Sequence, residues 1–595
     1  MNPQEFYNKK KKYSQGRLYE LKRKLAINSG LRLLFFILIF VILYSFLRSS
    51  FPIAITGAIL SLMLFLFLVR RNIKLQKKRE YYQAYFNLVC NEIDALSYDF
   101  RNFNNGEKFI NHRHYYSYDL DLFGKGSAFA MLNRSVTVAG ENQLAEILLK
   151  DETDKDEILA AQEATKELTG MEEFLLHFRA TGATSDIIGE EREKIGEWCR
   201  TTSYIKGKRW LKILAYLLPA VTIIALIFAI INTDTAPVFI IFFLLNFAVV
   251  GWGARKTGQE HNKVSGFLKI LTRYQALLEV VCRENFSSGQ LNRQSEKLNL
   301  NNQSAEKALK QLTQLVSAFD SRLNLFVAVF LEGILLYDYH CLFAIEKWRE
   351  TFGEHLTEWL DVVAFLDAKI SLATFAYKYP ANSYPTVVDE VTIKATELGH
   401  PLIPPSVRVC NDFEISKKNE FVIITGANMA GKSTFLRTVG INLTFAKVGL
   451  PVCAETFEFM PLKLFTSMRT SDSLAENESY FYAELRRLKE IIMKLEKGEA
   501  LFIILDEILK GTNSVDKQNG SFKALEKIIH LNGTGIIATH DLALTSIADK
   551  FPDKIKNQCF EIEIDNAKIS FDYKLYDGVT KKMNAMLLME QMGII

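Results

Sequence analysis

The feature that most constrains this chain is a short apolar run that leads directly into a glycine-rich loop. Ile423 to Thr425 precede the stretch Gly426 to Thr434, which reads Gly-Ala-Asn-Met-Ala-Gly-Lys-Ser-Thr. We interpret this as a buried strand, a loop of the pattern Gly-x-x-x-x-Gly-Lys-Ser and the start of a helix. Such a loop presents backbone N–H groups to an anionic phosphate. The sequence therefore predicts a phosphate-binding site.

Every residue of this loop is a predicted nucleotide contact. The residues are Gly426, Ala427, Asn428, Met429, Ala430, Gly431, Lys432, Ser433 and Thr434. The Lys432 side chain can reach the β- and γ-phosphate oxygens and so contribute to catalysis. The Ser433 hydroxyl, at the N-terminus of the following helix, can bind Mg²⁺. We therefore expect ATP as the ligand and Mg²⁺ as the cofactor.

Two later apolar runs end in polar side chains that suit phosphate chemistry. Leu501 to Leu505 lead into Asp506 and Glu507. Asp506 can complete the Mg²⁺ shell, and Glu507 can orient or deprotonate the attacking water. A capped strand end does not explain two adjacent acids after five apolar residues. Ile536 to Thr539 end in His540, which we predict to contact the γ-phosphate; a structural histidine is the alternative.

Two pairs of apolar segments interrupt the first half of the chain, and basic residues flank each pair on its outer sides. The segments are 33–47, 51–69, 213–231 and 236–253. A membrane-spanning helix needs about 20 apolar residues, with a range of roughly 17–25, so the first segment spans only if its flanking arginines snorkel. The sequence predicts four spans in two hairpins, with both ends of each hairpin in the cytoplasm. A cleaved signal peptide and a buried soluble hairpin are the alternatives.

Composition narrows the function classes only a little. A net charge of +4 over 595 residues gives no case for a nucleic-acid-binding protein. The seven scattered cysteines, never in a Cys-x-x-Cys pair, predict free thiols. His112 and His114 suggest a metal site, but no carboxylate or cysteine spacing supports one, so we interpret them as a solvated or packed cluster. From about residue 387, short β-branched runs separated by helices indicate an α/β nucleotide-binding domain.

Three segments together resemble the ATPase domain of the MutS family, which belongs to the ABC ATPase superfamily. The segments are Thr425 to Thr434, Asp506 to Ser514 and Ala538 to His540. Their order and spacing are similar to those of the family over residues 395–595. Supporting pieces are Gly399 to Leu402, Asp472 to Phe481 with Glu484, and Phe571 to Leu575 with Gly578 and Asn584. Weaker similarity to the family's helical core and lever appears at Leu120 to Phe123, at Leu132 to Arg134 and from about 260 to 390.

The resemblance implies a homodimer with composite ATP sites, in which each phosphate loop meets a signature loop from the other subunit. Ser479 is the residue that would contact the γ-phosphate in trans. ATP binding would close the dimer and hydrolysis would reopen it, while long helices transmit the change. The signature loop departs from the family pattern, because Asn477 stands where glycine is usual and Tyr480 where threonine is usual. Lys510 replaces the usual arginine, and a lysine keeps the positive charge but cannot form two parallel hydrogen bonds to one anionic group.

The fold class expected from these features is an α/β ATPase domain of the P-loop, ABC type, preceded by an all-α core and lever region that membrane hairpins interrupt. The expected units are a basic cytoplasmic tail (1–32), hairpin 1 (33–69), a helical region (70–209), hairpin 2 (210–254), a second helical region (255–390) and the ATPase domain (391–595).

The sequence favours a membrane-anchored branch of the family that lacks the mismatch-recognition domain. A basic tail and a hairpin stand where mismatch-recognising members carry a soluble domain with a Phe-x-Glu wedge. We expect an integral membrane ATPase that faces the cytoplasm, in the inner or plasma membrane of a bacterium, and DNA stays open as a partner. The alternatives are an ABC-type ATPase coupled to transport, and a structural DNA tether that binds ATP without hydrolysing it. Scarce intramembrane charge argues against the first alternative, and Glu507 argues against the second.

Overall fold

The computed structural model describes residues 2–49, 52–184, 191–300, 303–390, 392–469, 480–509, 514–565 and 568–581. The chain is mostly helical up to Lys378 and turns to α/β structure after it, as the sequence predicts. The helices of the first part are α1 (Pro3–Ser49), α2 (Pro52–Leu96), α3 (Ala128–Leu132), α4 (Val138–Leu149), α5 (Lys155–Thr169), α6 (Glu172–Gly182), α7 (Glu191–Arg200), α8 (Arg209–Ile231), α9 (Ala236–Ser265), α10 (Leu268–Val281), α11 (Gly289–Glu296), α12 (Ala305–Phe319), α13 (Leu325–Leu335) and α14 (Tyr337–Lys378).

The C-terminal part alternates strands with helices. Its helices are α15 (Lys432–Lys447), α16 (Tyr480–Glu496), α17 (Ser514–His530) and α18 (Ile547–Lys550). The strands of the chain are β1 (Asn299–Leu300), β2 (Gln303–Ser304), β3 (Thr386–Val387), β4 (Ile393–Leu398), β5 (Asn411–Ile415), β6 (Phe421–Gly426), β7 (Thr456–Phe459), β8 (Lys463–Ser467), β9 (Leu501–Asp506), β10 (Thr534–Thr539), β11 (Ile555–Phe560), β12 (Glu563–Asp565), β13 (Lys568–Ser570) and β14 (Leu575–Asp577).

Helices α1 and α2 form a long antiparallel hairpin. The residues predicted as a basic tail are the first part of α1, where Phe6 and Tyr7 are buried against Tyr377 of α14. Further along the hairpin, Asn28 donates from Nδ2 to the carbonyl oxygen of Leu68, at 3.1 Å, and joins the two helices. The lower half of the hairpin therefore packs on the helical region, and the apolar part of α1 beyond it is exposed.

Three helical stretches in the described part of the chain are long and apolar enough to cross a membrane. They are Pro3–Ile42, Arg209–Ile231 and Thr233–Ser265. Part of the predicted span 51–69 lies outside the described residues, because residue 51 and the side chains up to 55 are not described. A sharply bent pair of helices, α13 with α14, brings the number to four, but it lies in a region where the sequence predicted no span. The predicted arrangement of four spans in two hairpins stays a prediction.

Helix α14 is the central helix of the helical region, and several other helices pack on it. Its 42 residues extend about 63 Å at the usual rise of an α-helix. Most of its length from Leu356 onward is buried, because α4, α5, α7, α10 and α12 pack around it. At its C-terminal end, the ring of Phe375 lies 5.3 Å from that of Phe445 on α15. This helix therefore links the helical region directly to the α/β domain.

The main sheet of the α/β domain has six strands in the order β14-β11-β6-β10-β9-β8. All pairs in it are parallel except the one that β14 makes at the edge. Strands β6, β9 and β10 are buried along their whole length, since helices and loops cover both faces. A second sheet, in the order β3-β7-β4-β5, packs in the same hydrophobic core. The carboxyl ends of the parallel strands share one edge.

A fully buried charge cluster joins the first hairpin to α6 and α14. The carboxylate of Glu92 on α2 contacts Arg134 Nε at 2.7 Å, Lys378 Nζ at 3.0 Å and the guanidinium of Arg179. Burial by itself raises the pKa of Glu92, but the three cations lower it well below its usual range. Burial lowers the pKa of Lys378 to about 7, against the opposing effect of Glu92. One carboxylate thus holds three cations in place.

We expect Glu92→Gln to lower the unfolding free energy of the helical region by about 3–5 kcal/mol, because it leaves buried cations without a counter-ion. The matched control is Asp361→Asn, which removes an exposed pair with Arg192 and should cost only about 0.2–1 kcal/mol. Denaturant unfolding of the full chain in detergent, followed by circular dichroism, measures both changes. Equal effects of the two substitutions would contradict the role given to the cluster.

Candidate functional site

The predicted phosphate loop connects β6 to α15 at the shared edge of the main sheet. Gly431 has a φ of 102° and a methyl group there would approach the ring of Tyr573 to 3.1 Å, so this position requires glycine. A methyl group at Gly426 would come within 2.9 Å of the carbonyl oxygen of Phe560 on β11. Met429 also has a positive φ, 69°. The two glycines let the loop turn tightly between a buried strand and a helix N-terminus.

The loop presents only some of its predicted contacts to solvent. Asn428, Met429 and Thr434 are exposed, and Ser433 in the first turn of α15 is half-buried. Ala427 and Ala430 are buried against the core and can offer a ligand only their backbone groups. The open side of the loop is therefore lined by backbone N–H groups, the Ser433 hydroxyl and the first turn of a 16-residue helix.

Lys432 folds back over the loop. Its Nζ donates to the carbonyl oxygens of Gly426, at 2.7 Å, and Ala427, at 2.8 Å, and the side chain is buried. Burial lowers the pKa of Lys432, and the charges of Glu507 and Asp506 partly offset this effect. The ammonium is therefore bonded to the loop and interacts electrostatically with the two carboxylates that the sequence assigned to the same site.

Parallel pairing of the strands brings the predicted acids and histidine together. Asp506 at the end of β9 is buried and lies opposite Ala538 of β10, and the next residue, Glu507, donates its N–H to the Ala538 carbonyl oxygen at 2.9 Å. The Nδ1 atom of His540 lies 2.6 Å from Oε1 of Glu507. Lys517 of α17 approaches the same pair, with its Nζ 4.0 Å from Glu507 Oε2. Glu507 and His540 thus form one bonded pair beside the loop.

The turn after β9 is held from outside the sheet. Glu507 and Leu509 both have positive φ values, 54° and 61°, which non-glycine residues adopt only at a cost. Glu484 of α16 accepts the N–H of Leu509 at 2.5 Å through Oε1, and Ser521 Oγ donates to the Ile508 carbonyl oxygen at 3.3 Å. These bonds fix the backbone of the turn and thereby the direction of the Glu507 side chain.

Two aspartates from the helical region bind Thr466, Met468 and Arg469, just before the predicted signature loop. Asp119 accepts the Thr466 hydroxyl at 2.6 Å and the N–H groups of Met468 and Arg469 at 3.1 and 3.0 Å. Asp121 makes two bonds to the Arg469 guanidinium, at 2.5 and 2.9 Å, and lies 3.5 Å from Arg437 Nε on α15. Both aspartates therefore bind Arg469, the last described residue before 470–479, and Asp121 also lies close to the phosphate-loop helix.

Several predicted residues lie outside the described part of the chain. They are Ser479, the trans contact, together with Asn477, Lys510 and Asn584. Their predicted roles stay predictions. Among the described residues, no group of three or more His, Cys, Asp or Glu side chains is arranged to hold a metal ion. His114 instead accepts the N–H of Ser117 at 3.2 Å and packs edge-on against Tyr116.

Mg²⁺ and ATP fit the donor set that the fold brings together. The loop supplies backbone N–H donors and a buried ammonium for an anion, which is the chemistry that phosphate oxygens require. The hydroxyl of Ser433 and the carboxylate of Asp506 are oxygen ligands of the kind that Mg²⁺ prefers. The tight approach of Tyr573 to Gly431 leaves room there only for a residue without a side chain.

Sequence reasoning missed the contributions of Asp119, Asp121, Lys517 and Tyr573 to this site. A pattern in the sequence could have indicated Asp119 and Asp121, because these two acids alternate with Leu120 and Leu122, which are both fully buried. Leu120 packs so closely on α15 that a methyl group at Gly440 would overlap it. An acid between two buried leucines implies a partner, but the partner, Arg469, lies 348 residues away in the sequence.

Comparisons with known proteins bear on the same domain. Residues 422–594 match the family model "MutS domain V". The DNA mismatch repair protein MutS of Ehrlichia chaffeensis is 30% identical over 273 residues, which cover 45% of this chain and 32% of that protein. MutS of Thermotoga petrophila is 31% identical over 221 residues, covering 36% and 27%. The human MutS protein homolog 4 is 30% identical over 236 residues, covering 38% and 24%.

The matched region coincides with the site described above. The family model begins inside β6 and includes the loop, both carboxylates and His540. The chain spans about a third or less of the length of these relatives. Over residues 422–594, the C-terminal domain of this chain is therefore similar to domain V of MutS proteins.

Proposed function

We propose that this protein is a membrane-anchored, MutS-like ATPase that binds and hydrolyses Mg²⁺-ATP at composite sites of a homodimer to drive a conformational change. The observation that carries the proposal is the convergence of Lys432, Glu507 and His540 at one edge of the parallel sheet. A phosphate loop, a strand-end acid and a strand-end histidine are the parts that phosphoryl transfer to water requires. Similarity to domain V of MutS proteins supports the same activity.

Each group has a distinct part in the proposed reaction. The loop N–H groups and Lys432 bind the β- and γ-phosphate oxygens and stabilise the negative charge that develops there. Ser433 and Asp506 would hold Mg²⁺, which would supply Lewis-acid stabilisation of the negative charge on the phosphate. Glu507 orients the attacking water and takes up its proton, while His540, bonded to Glu507 at 2.6 Å, fixes the carboxylate and reaches toward the γ-phosphate.

The second half of the site comes from the partner subunit in this proposal. Ser479 lies in the segment that follows Arg469, and it would contact the γ-phosphate of the other subunit. Asp119 and Asp121 support this role, because they fix the start of that segment against α15 in the same chain. A change at the phosphate loop would thus be passed to the residues that reach into the partner.

Membrane anchoring is the second element of the proposal. The helices Pro3–Ile42, Arg209–Ile231 and Thr233–Ser265 each contain a long apolar segment, and the protein buries little of these segments. Such exposed apolar helices are costly in water and stable in lipid. The flanking basic residues favour a cytoplasmic position for the ATPase domain. We propose an integral protein of the inner or plasma membrane of a bacterium.

We expect Glu507→Gln to lower the rate of ATP hydrolysis by about a hundredfold or more, since the amide cannot take up the proton of the attacking water. ATP binding should persist, because Lys432 and the loop are unchanged. Lys432→Ala is the matched control, and it should lose nucleotide affinity as well as turnover. Phosphate release and equilibrium binding of ATP by the purified protein measure the two properties. Parental turnover by Glu507→Gln would contradict the assigned role.

We expect Asp121→Asn to lower kcat for ATP hydrolysis by about ten- to a hundredfold. Without the bonds from Asp121 to Arg469, the residues after Arg469 would be displaced, and a small displacement of a catalytic group lowers the rate by this much. ATP affinity of the monomer should change little, since Asp121 does not touch the loop. Asp99→Asn is the control, because Asp99 forms a similar two-bond pair with Arg101 at an exposed site. Equal steady-state rates in the two variants would show that Asp121 does not position the signature segment.

We also expect the Glu507→Gln dimer, held closed by ATP, to bind DNA more tightly than the nucleotide-free protein. The relatives named as DNA mismatch repair proteins motivate this part of the proposal. Affinity should fall as salt rises, and the slope of log affinity against log salt counts the phosphates contacted. Fluorescence anisotropy with duplex, branched and single-stranded DNA measures this, and no binding to any of them at low salt would refute the nucleic-acid part.

A further inference from the structure

Helix α13 exposes an apolar surface in a region that the sequence assigned to the helical core. Its sequence, Leu-Phe-Val-Ala-Val-Phe-Leu-Glu-Gly-Ile-Leu, contains a single charged residue. Phe326 is 81% exposed and Phe330 65%, and Val327 and Val329 are exposed beside them. These side chains share one continuous surface of the short helix, which water solvates poorly.

The charged residue of α13 turns away from that surface. Glu332 is buried, and its Oε1 accepts the N–H of Asp338 at 3.0 Å, across the break between α13 and α14. Asp338 is also buried, and its carboxylate lies 3.1 Å from Arg322. Leu336 has a left-handed φ of 49°, and the two helices meet at an angle of 79°. The Asp338 N–H at the break is therefore bonded on the protein side.

The opposite side of α13 packs on the second apolar hairpin. Asn246 in the middle of α9 donates from Nδ2 to the carbonyl oxygen of Gly333, at 2.7 Å, and to Thr222 Oγ1 of α8, at 3.0 Å. A methyl group at Gly333 would overlap the ring of Phe243, so α13 lies very close to α9. Helix α13 thus packs beside α8 and α9, both of which also carry exposed apolar side chains.

We propose that α13 is a re-entrant half-helix whose exposed face contacts lipid hydrocarbon beside α8 and α9. Eleven residues extend about 16 Å, roughly half of the ~30 Å apolar core of a bilayer. A break in a helix is tolerated at membrane depth where its backbone is buried in protein, which is the arrangement around Glu332 and Asp338. The proposal rests on the membrane insertion of α8 and α9 proposed above.

This placement gives the ATPase domain a direct connection to the bilayer. Helix α14 begins one residue after α13 ends, at Tyr337, and its far end packs through Phe375 on Phe445 of the phosphate-loop helix α15. One continuous helix of about 63 Å thus joins α13 to the C-terminal part of the phosphate-loop helix α15. A tilt of α14 driven from the ATPase domain would move α13 within the bilayer, and the composition of the bilayer would act back on the ATPase by the same contact.

Site-specific photo-crosslinking tests the proposal on the full chain. The photoreactive residue benzoylphenylalanine replaces Phe326 or Phe330 on α13, Phe228 on α8 as the hairpin reference, and Tyr482 on α16 as the control in the ATPase domain. Phe228 and Tyr482 are 57% and 59% exposed, so exposure is matched. All four positions are exposed aromatics, which keeps the fold intact, and ATP turnover of each variant checks this. Each protein is reconstituted into phosphatidylcholine vesicles, irradiated and analysed for lipid adducts by mass spectrometry.

We expect similar yields of lipid adduct at Phe326, Phe330 and Phe228, and no lipid adduct at Tyr482. Adducts at Phe228 without adducts at the two α13 positions would overturn the half-helix and leave the membrane anchor intact. Crosslinked protein dimers in place of lipid adducts at Phe326 and Phe330 would also overturn it, because a second copy would then cover the surface. Without lipid adducts at Phe228, the membrane insertion of the hairpin fails, and the proposal for α13 fails with it.

Discussion

The parallel pairing of β6 with β10, and of β10 with β9, is the interaction on which the candidate site depends. The register places Thr425 opposite Thr539, and Ala538 opposite Asp506, so the three strands end in step. The loop, the acid pair and His540 leave the sheet at one edge only because of this register. Since a shift by one residue would turn every side chain to the other face, the site and the core of the sheet form together or not at all.

One long helix, α14, contacts a different hairpin at each of its ends and the α/β domain at its C-terminal end. Near the C-terminal end of α14, Lys378 meets Glu92 in the buried cluster at the base of the first hairpin. At its N-terminal end, Tyr339 donates to the Val249 carbonyl oxygen of the second hairpin at 3.2 Å. The phosphate-loop helix packs near the first of these junctions through Phe445. Movement of α15 would therefore reach one hairpin directly and the other through the length of α14.

The sequence predicts the parts of this protein whose signals are local. The loop at Gly426 to Thr434 and the strand ends at Glu507 and His540 each carry their pattern within a few residues, and the structure brings them together. Pairs such as Arg469 with Asp121, or Lys378 with Glu92, join residues hundreds of positions apart and leave no periodic pattern. The break between α13 and α14 at Leu336 was not predicted from the sequence.

The charged groups of the site are already bonded to the chain, and this shapes how a nucleotide can act. Lys432 donates to two loop carbonyls, and Glu507 is bonded to His540. A phosphate that binds Lys432 must replace the hydrogen bonds that the ammonium makes to the loop carbonyls. The free energy of binding is therefore the difference between the bonds formed to phosphate and the bonds lost to the loop. That exchange frees the carbonyls of Gly426 and Ala427 at the end of β6, next to α15. Helix α15 contacts Leu120 of the helical region and Phe375 of α14, and its Arg437 lies close to Asp121. A small change in the loop would therefore act on α14 and, through Asp121, on Arg469 and the segment that follows it.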